Sequence, residues 1–120
     1  MEASSIVLMK RVNGILEKEL GSYEIQEGLQ YVSKAYVEDS TVHICLTTEG
    51  DVDDQQYTEL FEGYDTQRLQ QLGIQVDEND EEYNPGWCLA FPFVEDHEFM
   101  ENKLNEILKI HVGMVQTIIG

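Results

Sequence analysis

Apolar and polar positions follow two different periods along this chain. Up to about residue 48 the apolar residues alternate with polar ones or cluster in short β-branched blocks, as strands do. Ile6–Val12 and Ile15–Leu20 flank Asn13-Gly14. Asn-Gly between two such runs predicts a hairpin, because both turn residues must accept a positive φ. Ser22–Glu27, bracketed by Gly21 and Gly28, continues the second run past a bulge. A second hairpin is predicted from Leu29, Tyr31, Ala35 and Val37 alternating with Gln30, Lys34 and Tyr36, a turn at Glu38-Asp39-Ser40, and a return over Thr41–Thr48. On the returning strand Val42, Ile44 and Leu46 share one face. Thr41, His43, Cys45 and Thr47 share the other, and their polarity marks it as the less buried one.

Beyond residue 50 the period becomes helical. Tyr57, Leu60, Phe61 and Tyr64 fall at i, i+3, i+4 and i+7 behind the capping carboxylates of Asp51–Asp54. Arg68, Leu69 and Leu72 continue the stripe to Gly73, a C′ glycine. Gly63 and Asp65 weaken its middle, so one helix or two short ones satisfy residues 53–72. Ile74-Gln75-Val76 is a short strand or connector, residues 77–82 an acidic loop, and Tyr83-Asn84-Pro85-Gly86 a turn. Trp87–Val94 reads as a strand with Trp87, Leu89, Phe91 and Phe93 on one side; Pro92 places it at an edge, at a bulge or at its end. Asp96 caps a last helix over 96–112, with Met100, Leu104, Ile107, Leu108 and His111 as its stripe and Gly113 as a point it can run past. The order is strands, helix, strand, helix. The simplest arrangement is one α+β domain over 1–120, a two-layer sandwich of four to five antiparallel strands with two helices on one face.

Charge changes the picture more than composition does. The chain carries 24 Asp plus Glu against 7 Lys plus Arg, a formal net charge of -17, and residues 49–101 hold sixteen of the acids with Arg68 as their one basic residue. Nucleic acid is excluded as a partner, since its phosphates require Lys and Arg, and an anionic membrane surface is disfavoured on the same ground. No apolar run reaches the roughly 20 residues of a membrane span and no signal-peptide core stands at the N-terminus. A cytoplasmic location is expected. Cys45 and Cys88 are too few and too far apart for a disulfide framework and are expected as buried thiols.

Candidate chemistry is sparse. With Asp77, Asn79 and Glu81 at the first, third and fifth positions of a calcium loop, Glu82 takes the place of the turn glycine and Cys88 that of the bidentate Glu, so the match fails. His43 and Cys45 share a strand face but lack two partners in zinc-ligand spacing. A cysteine nucleophile lacks surrounding positive charge. Serine-hydrolase, phosphate-loop and dinucleotide motifs are absent. No metal, cofactor or catalytic residue is therefore expected.

Two readings remain. In the first, the acidic half binds a protein partner, a basic one by charge, in a non-catalytic interaction or regulatory domain. The surface residues are then Tyr57, Phe61, Tyr64, Tyr83 and Trp87 together with Asp77, Glu78, Asp80, Glu81 and Glu82. In the second, Tyr57 and Phe61 face Trp87 and Phe91 across a small-ligand or enzymatic pocket between the first helix and the last strand. The C-terminal stretch, with Ile110, Val112, Val115 and Ile119 outside the main stripe, adds the expectation of a homodimer through that helix.

Overall fold

The computed structural model describes residues 4–119. It places β1 (Ser5–Val12), β2 (Ile15–Glu24), β3 (Val32–Glu38), β4 (Thr41–Leu46), α1 (Asp54–Gly63), α2 (Thr66–Gln70), β5 (Gln75–Asn79), β6 (Gly86–Pro92) and α3 (His97–Ile119) in that order. The strands form a six-stranded sheet in the order β2-β1-β3-β4-β6-β5, with the helices on one face. The α+β class stands as expected; the sheet is larger than four to five strands, and the described residues form three α-helices because Tyr64 leaves helical geometry (ψ 122°) between α1 and α2. Asp53 caps α1 by accepting from the Gln56 N–H at 2.7 Å, while the Asp53 N–H donates to Gln56 Oε1 at 3.1 Å. Asp65 restarts the helix as the cap of α2.

Asn13 and Gly14 turn the first hairpin with φ of 52° and 82°. The sheet is mixed, not wholly antiparallel, because β1 and β3 run parallel. After β2 the chain does not fold back onto that strand's free edge. Residues 25–31, with Ile25 and Tyr31 buried, pack against α3 and deliver β3 to the other edge of β1, where its direction must match. Gly28 permits this route: its φ is 91°, and a Cβ there would meet Val112 Cγ2 at 3.0 Å and Leu108 Cβ at 3.1 Å.

The expected acidic loop begins as a strand. Asp77 and Glu78 belong to β5, paired with Cys88 and Trp87, because Val76 can pack against the core while the charges protect a sheet edge. Pro92 ends β6, as its missing N–H requires. Val42, Ile44 and Leu46 are fully buried on the helix side, joined by Trp87, Leu89 and Phe91 of β6 and by Met100, Leu104, Ile107, Leu108 and His111 of α3. Among the described residues no helix packs on the opposite face of the sheet.

The expectation for the cysteines changes here. Cys45 and Cys88 are not separate buried thiols but a disulfide, with Cα atoms 4.0 Å apart. The pairing of β4 with β6 sets them directly opposite one another, a proximity that 43 residues of separation hide in the sequence. Disulfides are rare in the reducing cytosol, so the bridge weighs against the cytoplasmic expectation. No described helix is long and apolar enough to cross a membrane. Of the apolar residues outside the main stripe of α3, Ile110, Val112 and Val115 are buried within one chain and Ile119 is half-buried. α3 is flanked by α1 and by residues 25–31, so its side faces are covered as well as its sheet face.

Candidate functional site

The helical stripe of α1 and the strand face of β6 converge, and most of what converges is core. Trp87 is fully buried and stacks on Tyr64, ring centroids 4.1 Å apart and 12° from parallel. Phe61 packs on Trp87 at 5.3 Å and Tyr57 on Phe61 at 5.1 Å. His111 of α3 closes the cluster, edge-on to Trp87 at 5.6 Å and to Tyr31 at 5.3 Å. The space between the first helix and the last strand is thus filled by rings packed to van der Waals contact.

His111 is the polar centre of this core. Its Nδ1 lies 2.8 Å from the Tyr64 hydroxyl and its Nε2 lies 2.8 Å from the Thr47 carbonyl oxygen. A carbonyl only accepts, so Nε2 carries the proton and Nδ1 accepts from Tyr64. Burial lowers the His111 pKa from 6.5 to about 4, opposed by the Thr47 hydrogen bond. Burial also raises that of Tyr64. Both groups are neutral near pH 7 and serve as a satisfied pair.

Strand β5 divides the expected surface residues into two places. On the helix side, Tyr57, Thr58 and Phe61 of α1 face Glu78 and Asp80, with Glu62 beside them, across a groove of about 430 Å³. Tyr57 donates its hydroxyl to the Asp80 carbonyl at 3.0 Å and fixes the groove's width. Its floor is half-buried aromatic surface and its rim three exposed carboxylates. On the open face lies a second cavity of about 410 Å³, lined by Ser33, Lys34, Thr47, Asn79, Glu82, Tyr83 and both cysteines. Tyr83 is 77% exposed at its rim. Asn84 anchors the intervening turn, donating to Asp51 at 3.0 Å and accepting from the Val52 N–H at 3.2 Å.

Of the ten surface residues expected, Tyr57, Phe61, Glu78 and Asp80 come together in the groove. Glu82 and Tyr83 line the open-face cavity. Asp77 points to that same face, opposite Cys88, and Glu81 is solvent-exposed. Tyr64 and Trp87 are core. Among the described residues no three His, Cys, Asp or Glu side chains gather as a metal ion requires. Sequence reasoning missed Glu62, Lys34 and the cysteine pair. Glu62 was legible as the residue after Phe61 on a helix edge; the other two required knowledge of which strands are neighbours.

No curated protein and no solved structure matches the chain. A family model matches along residues 1–120, and by that match the chain belongs to the family of unknown function DUF6762.

Proposed function

We propose that the chain is a non-catalytic interaction domain that binds a basic segment of a protein partner in the groove between α1 and β5. One observation carries this reading: Glu62, Glu78 and Asp80 rim an aromatic floor made by Tyr57 and Phe61. An Arg or Lys side chain laid there meets ring faces along its stem and carboxylates at its head, the combination that favours cations over neutral groups. The surrounding charge of -17 adds attraction at longer range and accelerates encounter. The core supports the same reading, since the packed Tyr64–Trp87–His111 cluster leaves no ligand space between α1 and β6.

The test is capture from native lysate with the wild-type protein and with a Glu62→Gln, Glu78→Gln, Asp80→Asn triple variant. A partner retained by the wild type at low salt, released at high salt and lost from the variant is expected. Equal capture by both proteins would refute the groove as the binding surface.

A further inference from the structure

Across the middle of the open sheet face four residues stand in one row. Lys34 of β3 is in register with Cys45 of β4, Cys45 with Cys88 of β6, and Cys88 with Asp77 of β5. Partners in register project to the same side of a sheet. The row therefore places a lysine next to one cysteine and an aspartate next to the other on the same face. The disulfide lines the 410 Å³ cavity, with both cysteines only half-buried. Of the other charged or titratable groups nearby, His43 is engaged in a stack on Tyr36 at 5.0 Å, and Glu82 and Tyr83 stand at the rim.

This placement differs from that of a staple. Strands β4 and β6 already share six paired positions, from Thr41 with Pro92 to Leu46 with Trp87. Their core side chains are on the opposite face. The bridge joins elements that the ladder and the core already hold, and it does so where solvent reaches.

We propose that Cys45–Cys88 is a thiol–disulfide exchange site that takes a low-molecular-weight thiol in the open-face cavity, with Cys45 as its thiolate-forming sulfur. The thiolate of a first thiol attacks Cys88 Sγ. An S–S bond forms to the substrate, the Sγ–Sγ bond breaks, and its electron pair leaves on Cys45 beside the Lys34 ammonium. A second thiolate attacks the substrate sulfur of this mixed disulfide and releases Cys88. The protons lost by the two thiols end on the two cysteines. Two thiols are oxidised to one disulfide, and the protein's bridge takes up the two electrons. The polarity follows from charge, because a thiolate is stabilised next to a cation and opposed next to Asp77. The reading stands independently of the acidic groove.

The experiment reduces the folded wild-type protein with dithiothreitol without denaturant, confirms the fold by circular dichroism, and maps limited alkylation by mass spectrometry. A gain of about tenfold in thiolate fraction, offset by about threefold lower nucleophilicity, leaves Cys45 reacting roughly threefold faster than Cys88. Exposed Lys34 replaced in Lys34→Gln removes that preference. Asp77→Asn accelerates Cys88 and serves as the second test. The proposal is overturned if the bridge is reduced only in denaturant, if reduction unfolds the chain, or if the two sulfurs react equally and ignore both substitutions.

Discussion

Acid should destabilise this protein through one imidazole. His111 is fully buried, its Nε2–H donating to Thr47 and its Nδ1 accepting from Tyr64. Protonation would force Nδ1 to become a donor facing a hydroxyl and would place a charge among Trp87, Tyr31 and Tyr64. The folded-state pKa is lowered to about 4, against 6.5 for an unperturbed imidazole. Below pH 6.5 the unfolded chain takes up a proton that the folded chain refuses, so protons favour unfolding. The contribution of neutral His111 is complete above the unfolded value and is lost as pH falls toward about 4. The interval is worth about 3 kcal/mol at most, a large part of the ~5–15 kcal/mol typical of a domain. The comparison is urea unfolding of the wild type and His111→Gln across that window. Gln retains an N–H for Thr47 but does not titrate, so it carries a constant penalty. The wild type should lose about 3 kcal/mol relative to the variant between neutral pH and pH ~4. A gap that stays constant across the window, or an imidazole titrating at its ordinary value by NMR, would show the reasoning to be wrong.

Tyr64→Phe should cost about 1–2 kcal/mol in urea unfolding, because it leaves His111 Nδ1 buried without a donor. Gly113→Ala should raise stability by about 0.5–1 kcal/mol in thermal melts: the residue is exposed within α3, and a Cβ there meets nothing within 4 Å. Gly28→Ala should move the melt the other way, since its φ of 91° and its contacts with Val112 and Leu108 forbid a side chain. Replacing both cysteines by Ala removes a cross-link across 43 residues; because the β4–β6 ladder holds these strands without it, the fold should be retained in circular dichroism, with a loss below the chain-entropy ceiling of about 4 kcal/mol.

The hairpins, the helical stripes and the core face of β4 were legible because each is set by a local period. Asn13-Gly14 needs no tertiary information to turn, and Leu104, Ile107, Leu108 and His111 share a helix face wherever that helix docks. The failures were non-local. Nothing near Ser22–Tyr31 reveals that this connection packs against α3 and reverses the expected sheet polarity. Asp77 and Glu78 have poor strand propensity, and only the adjacent β6 makes them a strand. The extension of α3 past Gly113 was favoured by burial of Met114 and Val115, which outweighs a mid-helix glycine. At the site the residue types were found, but their grouping was not, because grouping depends on strand order. Cys45 and Cys88 were each placed on a strand, yet their union required knowing that β6 inserts between β4 and β5.

That insertion also separates the two proposed activities, through the two-residue period of one short strand. β5 presents Asp77 to the open face opposite Cys88 and Glu78 to the groove opposite Trp87. Adjacent carboxylates of the same charge therefore serve different surfaces, and a substitution at one should leave the other surface unaffected. Asp77→Asn should accelerate alkylation of reduced Cys88 while leaving salt-dependent partner capture unchanged. Glu78→Gln should weaken capture and leave the relative rates of the two sulfurs as they were. Both residues are exposed on an edge strand, so neither change removes core packing. Capture assays and alkylation mapping on the two single variants give a two-by-two outcome. If both substitutions alter both readouts, long-range charge rather than side-chain placement governs this surface, and the division of labour along β5 fails.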